Sequence, residues 1–193
     1  LAPKINAAGR VGDPMTSVKL LQSKDSSSAS KFAYSLDRFN RRRRQEERQA
    51  YKEALDVARK ELSIDSSGGL VVVGRGWHPG VIGLLATKVS KHYNRPVIVL
   101  CKDKESGELL GSGRSCAQLD ILKVLNESSH LLSSFGGHPM AVGISLLEEN
   151  LPAFKELFVG AFRSIDMTMP VNGEKLFADD ELMFCEVGDE FID

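Results

Sequence analysis

The middle of the chain alternates between two hydrophobic patterns. Continuous apolar runs bounded by Gly, Pro or charged residues are typical of buried strands. They occur at GLVVVG (69–74), RPVIVLC (95–101), LLGSGRS (109–115) and AVGISL (141–146). Apolar residues at helical spacing occur at 78–93, 119–132 and 151–165. Strands that alternate with helices indicate an α/β fold, in which a mixed β-sheet has flanking helices.

A long polar helix is predicted ahead of this domain. No Gly or Pro occurs between Lys31 and Leu62, and good helix formers dominate. The apolar stripe of this segment is thin, which favours a helix that connects two domains over one buried in a core. Ser28 or Ser30 is available as its N-cap. The residues before it are predicted to be loop-rich at first and then helical around TSVKLLQS (16–23).

These patterns divide the chain into four parts. Residues 1–30 are predicted to be a loop-rich first part, 31–65 a long connecting helix, 66–165 the α/β domain and 166–193 the truncated start of a further domain. The last part is too short to bury a core of its own. Because the chain starts without Met, we expect it to be a piece of a longer protein.

The charge is distributed unevenly although the net charge over 193 residues is only −1. Residues 1–65 hold 14 Lys and Arg against 9 Asp and Glu, whereas residues 166–193 hold 1 against 9. The mildly basic body suits a polyanionic partner. No run approaches the roughly 20 apolar residues of a membrane-spanning helix. Three scattered cysteines lack metal-ligand spacing and favour reduced thiols in a cytoplasmic protein.

Four glycine-containing stretches could bind an anion: NAAGR, GRGWHPG, GSGRS and FGGH. Glycine lets backbone N–H groups approach phosphate oxygens, and Arg adds a planar fork that matches two of them. The candidate ligand-binding residues of these stretches are Asn6, Arg10, Trp77, His78, Ser112, Gly113, Arg114, Gly136, Gly137 and His138. The GRGWHPG stretch also predicts helix N–H donors after a strand. For FGGH, a tight turn into a strand and a ligand-facing loop both stay open.

Plainer interpretations stand beside these. Trp77, the single tryptophan, is either a packing residue or a stacking platform for a base. The run 41–44 of four arginines is either a solvated helix face or a backbone contact to nucleic acid. A Ser112–His138–Asp120 triad can be drawn, but nothing in the spacing fixes its geometry. No metal site can be built from the separated aspartates of the chain.

The order of LAPKINAAGR, GRGWHPGVIG, RPVIVL, GSGRS and FGGHPMAVG closely resembles the RecJ family of exonucleases in the DHH phosphoesterase superfamily. The resemblance covers about residues 1–165, and the middle part is similar to the DHH-associated domain with its GGH signature. It implies that residues 1–30 end a DHH catalytic domain and that 166–193 begin an OB-type domain. The Asp-His-His motif and the other metal-ligand motifs of the family are absent from this chain.

The resemblance also implies a function. It predicts the substrate-binding part of a 5′-to-3′ single-stranded-DNA exonuclease, which hydrolyses phosphodiester bonds in DNA repair and recombination. Mn²⁺ or Mg²⁺ would act in the full-length enzyme, with ligands outside this fragment, so the fragment alone is expected to be inactive. The expected partner is single-stranded DNA; a single-strand-binding protein or a helicase is compatible with it. The protein is expected to be a cytoplasmic monomer without membrane contact.

Site roles follow from the same resemblance. Arg10, Ser112 and Arg114 are similar to residues that hold a 5′-terminal phosphate, and His138 of the GGH loop would be catalytic by donating to the scissile phosphate. One well-placed donor of this kind contributes roughly 3 kcal/mol in a transition state. Trp77 and His78 would pack a nucleotide. Two alternatives stay open: a DHH-family phosphodiesterase for short oligonucleotides or cyclic dinucleotides, and a non-catalytic nucleic-acid-binding module.

Overall fold

A computed structural model describes residues 1–66, 68–116 and 119–163 of the chain. The helices are α1 (Ala2–Val11), α2 (Met15–Leu21), α3 (Ser26–Ile64), α4 (Pro79–Tyr93), α5 (Ile121–Glu127) and α6 (Leu151–Gly160). The strands are β1 (Leu70–Gly74), β2 (Val97–Lys102), β3 (Leu109–Arg114), β4 (Ser134–His138) and β5 (Ala141–Leu146). The predicted fold, a mixed sheet with flanking helices after a long helix, is confirmed.

The five strands form one sheet in the order β1-β2-β3-β5-β4. β1 and β2 run parallel because α4 carries the chain back between them. All other neighbours are antiparallel. The β4–β5 connection is a tight turn at Pro139 and Met140, which leaves β4 as an edge strand.

The two faces of the sheet bury separate apolar clusters. On the first face, Val72, Val97 and Val99 pack with the apolar sides of α3 and α4. On the second face, Ile98 and Ile144 join a cluster that includes residues of α5 and α6. The helices α3 and α4 lie over β1, β2 and β3. Beyond β3, Gly143 of β5 and Ser134, Gly136 and His138 of β4 are solvent-exposed on the first face, whereas Ser145 is buried.

The connecting helix is longer than predicted and begins at a different cap. It starts at Ser26, because the side chain of Asp25 accepts a hydrogen bond from the Ser28 N–H at 2.8 Å. The prediction of Ser28 or Ser30 as the cap was therefore wrong. The buried face of α3 carries small side chains, among them Ala54 and Ala58, so that the helix packs closely on β1 and α4.

The first residues form a helix and not the predicted loop. α1 has Pro3 in its first turn, where the missing N–H leaves no helical hydrogen bond unmade. Ala7, Ala8 and Val11 bury one side of the helix. The NAAGR stretch therefore presents its polar side chains from a rigid helix end.

The remaining expectations about domains stay predictions. The predicted start of a further domain at 166–193 lies outside the described residues. Within the residues that the structure does describe, none of the helices combines the length and the apolar character that crossing a membrane requires.

Candidate nucleic-acid interface

Two arginines from distant parts of the chain meet beside α4. Arg10, in the last turn of α1, donates from Nη1 to the Gly80 carbonyl at 3.3 Å. Arg114, the last residue of β3, donates from Nη1 to the Ser112 hydroxyl at 3.2 Å and to the Gly113 carbonyl at 2.6 Å. The structure thus places Arg10 close to Arg114 and Ser112, the residues that the resemblance assigned to one site.

The electrostatics of this pair favour an anion. Burial lowers the pKa of Arg114, and the positive charge of Arg10 lowers that pKa further. Across residues 1–66, 68–116 and 119–163, no carboxylate forms an ion pair with either guanidinium. Two partly buried cations without a counter-ion repel each other, and an anion placed between them would relieve that repulsion.

Two glycines of α4, which the sequence analysis missed, make room for this cluster. A Cβ on Gly80 would lie 1.9 Å from the carbonyl oxygen of Arg10, so α1 can approach α4 only because Gly80 has no side chain. A Cβ on Gly83 would lie 3.3 Å from the Ser112 hydroxyl and 3.5 Å from Arg114 Nη2. Their signal in the sequence is a glycine inside a helical pattern, which usually has a packing or functional reason.

The floor beside the arginines is bare sheet backbone. Ser112, Gly143 and Gly136 lie directly opposite one another on β3, β5 and β4. A Cβ on Gly136 or Gly143 would meet nothing within 4 Å. A glycine inside a strand is typical of a position that a ligand approaches closely. Gly143 is a second floor residue that the sequence analysis missed.

His138 forms the outer rim of this floor. Arg114, Ala141 and His138 are opposite one another on the same three strands, so the Cα atoms of Arg114 and His138 are roughly 10 Å apart. The side chain of His138 is exposed on the first face of the sheet. We call the space between these groups the trough: Gly136 and Gly143 form its floor, Arg10, Ser112 and Arg114 its wall, and His138 its rim.

FGGH is an edge strand, so the interpretation as a loop was wrong. Gly137 has a φ of +140°, which a side chain would strain, and a Cβ there would lie 2.3 Å from the Ala141 carbonyl oxygen. The glycine at this position is therefore explained by the hairpin itself. Gly113 is similarly explained by packing, because its Cβ would lie 2.5 Å from Val142 and 2.6 Å from Ile98.

Trp77 packs in the core and offers no stacking surface. Its side chain is 7% exposed, and its indole N–H donates to Glu53 Oε2 at 2.8 Å, which joins the β1–α4 loop to α3. This hydrogen bond lowers the pKa of Glu53, and a hydrogen bond from Gln49 lowers it to a smaller extent. Of the two interpretations of Trp77, the structure selects packing.

His78 caps α4 and uses the donors that the sequence assigned to an anion. Its Nδ1 accepts from the Gly80 N–H at 3.0 Å, and its carbonyl accepts from the Val81 N–H at 2.9 Å. Pro79 has no N–H. The start of α4 therefore has its first donors occupied, and the predicted helix-terminus anion site was wrong.

The remaining candidates are more peripheral. Asn6 is exposed one helical turn before Arg10, on the same side of α1, where a shallow groove separates α1 from α2. Asp120 caps α5 by accepting from the Lys123 N–H at 3.0 Å, so its carboxylate serves that helix and supports no triad. Among the residues that are described, no group of three His, Cys, Asp or Glu could hold a metal ion.

Comparison with known proteins identifies the family of this chain. A family model described as the DHHA1 domain matches residues 66–164, which is half of the chain. The chain belongs to the DHHA1 domain family. The match begins after α3, and it includes the whole sheet and therefore the floor, the rim and part of the wall of the trough.

The relatives that resemble this DHHA1 chain are named single-stranded-DNA-specific exonuclease RecJ. RecJ of Bacillus subtilis (strain 168) is 38% identical over 152 residues, which is 79% of this chain and 19% of that protein. RecJ of Escherichia coli (strain K12) is 37% identical over 164 residues, which is 82% of this chain and 28% of that protein. The similarity also covers residues before the DHHA1 domain, and the chain spans less than a third of either relative.

Solved structures show the same similarity. The crystal structure of RecJ from Thermus thermophilus in complex with Mg²⁺ superposes with a TM-score of 0.74 at 29% identity, covering 83% of this chain and 24% of that one. An exonuclease RecJ bound to manganese gives a TM-score of 0.72 at 30% identity, covering 83% of this chain and 39% of that one. The resemblance found in the sequence is thereby confirmed, and the fold of the DHHA1 chain is that of the corresponding part of RecJ.

Proposed function

We propose that this chain is the strand-binding part of a RecJ-type exonuclease, which hydrolyses phosphodiester bonds of single-stranded DNA from the 5′ end in repair and recombination. One observation carries the proposal: Arg10 and Arg114 stand side by side at an open glycine floor, without a carboxylate partner among the described residues. A terminal phosphate carries more charge than an internal one and is the ligand that such a pair would select.

The roles in the trough follow from its geometry. The two guanidiniums and the Ser112 hydroxyl would hold the terminal phosphate against the wall. The strand would then lie over Gly136 and Gly143, where no side chain obstructs a sugar-phosphate backbone. His138, at the far rim, would donate to a phosphate one or more nucleotides away from the terminal one. A grip on the strand end sets the direction of digestion, because cleavage is then counted from the held phosphate.

The metal chemistry is assigned to other parts of the protein. The described residues do not fit a divalent ion, since no group of three suitable ligands is close together among them. RecJ structures with Mg²⁺ or Mn²⁺ support the same cofactors here. We infer that their ligands lie outside this chain, and that the trough contributes binding and positioning.

The remaining parts of the proposal are less specific. We infer that the protein acts on single-stranded DNA, because the relatives bear the name of a single-stranded-DNA-specific exonuclease. A cytoplasmic location and a monomeric state stay predictions. A single-strand-binding protein or a helicase as a further partner stays a prediction. The relatives favour neither a nuclease for short oligonucleotides or cyclic dinucleotides nor a non-catalytic module.

The test uses the full-length gene product and two strands of one sequence that differ only in a 5′-phosphate or a 5′-hydroxyl. Arg114→Ala is expected to weaken binding of the phosphorylated strand by about tenfold to a hundredfold, the range of a lost charge-assisted hydrogen bond. Binding of the hydroxyl strand should fall much less. Arg59→Ala, an exposed arginine on α3, is the matched control. Equal losses for both strands would contradict end recognition.

A further inference from the structure

A row of unneutralised cations runs along the exposed side of α3. Arg44, Arg48 and Lys52 follow one another at steps of four residues, so their Cα atoms are about 6 Å apart along the helix axis. All three are exposed, and Lys52 lies on the side of α3 opposite Ala54 and Ala58. We call these three residues the basic strip.

The basic strip differs from the other arginines of the helix. Arg41, Arg42 and Arg43 pair with Asp37, Glu46 and Glu47 at the i,i+4 spacing. In the part of the chain that the structure describes, no ion pair or hydrogen bond satisfies the side chains of the basic strip. The Arg-rich run was open to two interpretations, and it divides into a paired part and an unpaired part.

Like charges at this spacing destabilise a helix by about 0.2–0.5 kcal/mol per pair. A helix face built only for solvation would alternate its charges, as the paired arginines of α3 do. Three like charges in sequence are therefore unfavourable unless an anionic partner neutralises them. A repeat of about 6 Å suits a partner whose negative charges recur along a chain, as the phosphates of nucleic acid do.

An exposed aromatic side chain lies on the same side of α3 as Lys52, about five helical turns before it. Tyr34 is 66% exposed and lies ten residues before Arg44, about 15 Å along the axis. A basic track that ends at an exposed aromatic ring is the arrangement by which proteins hold single strands without regard to sequence. We propose that the basic strip and Tyr34 bind single-stranded nucleic acid through its phosphates and one stacked base.

This inference rests on the proposed function only in its choice of polyanion. The trough and the basic strip are separate, because α4 lies between α3 and the open part of the sheet. The strip would hold the body of a strand whose end is in the trough. Short strands would fill the trough alone, and long strands would reach both surfaces.

The test compares two triple variants of the full-length gene product, each of which removes three positive charges from α3. Arg44→Gln, Arg48→Gln and Lys52→Gln together should lower the affinity for a long strand roughly tenfold or more and reduce the salt dependence, log K against log salt, by about 2. Lys31→Gln, Arg59→Gln and Lys60→Gln together are the control and should change neither quantity. Helix content by circular dichroism checks that both variants fold.

Further arms separate the outcomes. Tyr34→Ala should weaken long-strand binding about fivefold while the salt dependence is unchanged, which a purely electrostatic surface would not show. An unchanged long-strand affinity in the strip variant, or an equal loss in the control, would overturn the proposal. If the strip variant loses binding of polyglutamate but keeps strand binding, the basic strip binds an acidic protein. That outcome would also overturn the proposal. If the wild-type protein binds strands with and without a 5′-phosphate equally, end recognition is refuted. If the strip variant still loses long-strand binding in that case, the proposal for the basic strip is supported independently.

Discussion

The two halves of the first sheet face differ in what their small residues meet. Over the covered half, Gly80 of α4 has a backbone oxygen within 2 Å of the place that a Cβ would take, so packing explains this glycine. Over β5 and β4, the corresponding space at Gly136 and Gly143 is empty. The same residue type therefore allows close packing within the protein in one case and leaves open surface in the other. Only the surroundings of each glycine separate the two cases.

The largest effect is expected where the glycine is most confined. Gly80→Ala would drive a methyl group into the Arg10 carbonyl and should destabilise the protein by about 3 kcal/mol, at the upper end for overpacking. Denaturant unfolding measures the loss. Gly160→Ala, at the end of α6, is the matched control, because its Cβ would meet nothing within 4 Å. A loss of similar size in both variants would mean that the close approach of α1 and α4 is not what Gly80 provides.

An intermediate effect, opposite in kind, is expected on the open half. Gly143→Val should leave the free energy of unfolding unchanged or raise it by up to about 1 kcal/mol, because valine suits a strand better than glycine. It should also weaken single-strand binding about tenfold, since the new side chain would stand on the trough floor. Both quantities are measured on the same preparation.

Gly113→Val on the neighbouring strand is the control for this variant. Its side chain would press into Val142 and Ile98 on the other face, so it should lose about 1–3 kcal/mol of stability without a specific loss of binding in the folded fraction. Unimpaired strand binding by Gly143→Val would remove the bare floor from the proposed site and weaken the contrast between the two halves.

The smallest effect concerns the covered half and depends on pH. The Trp77 hydrogen bond holds the pKa of Glu53 below its usual value, so the stability it contributes is present above that value and is lost as the pH falls through the lowered pKa. Glu53→Gln keeps an acceptor but cannot titrate. Wild type should exceed Glu53→Gln in unfolding free energy by about 0.5 kcal/mol near neutral pH, and the difference should vanish in acid.

Fluorescence makes this measurement specific, because Trp77 is the single tryptophan of the chain. Unfolding curves recorded by its emission near neutral pH and in acid below the lowered pKa of Glu53 give the two differences. Comparison with the variant cancels the titration of other carboxylates, such as Asp37, whose pKa is also lowered. A difference of the same size at both pH values would show that the carboxylate charge is not what holds the indole.

Much of the architecture could be predicted from local patterns. The runs that became β1, β2 and β5 are apolar and bounded by turn residues, and α3 lacks Gly and Pro over most of its length. Two elements escaped prediction for physical reasons. α1 is short and contains both Pro and Gly, and its stability comes from burying Ala7 and Ala8. β4 has no apolar alternation, and its strand form comes from pairing with β5.

The candidate site was predictable as a set of residue types but less so as a place. Arg10 and Arg114 were chosen for their chemistry, yet their proximity depends on the close approach of α1 to α4, which no local pattern encodes. Gly113 and Gly137 are glycines like Gly143, but packing explains Gly113 and a positive φ explains Gly137. The open surroundings of Gly143 follow from α4 covering only part of the sheet, which is a tertiary property.

The contact between Arg10 and the Gly80 carbonyl joins the first helix of the chain to the first turn of the crossover helix. One guanidinium of the pair therefore belongs to the DHHA1 domain and the other to the segment before it. In the proposed site, selectivity for a strand end would be a shared property of the DHHA1 domain and the segment before it, and neither of them alone would provide it. A change in how α1 packs on α4 would then alter which strand ends are bound, although the sheet itself would be unchanged.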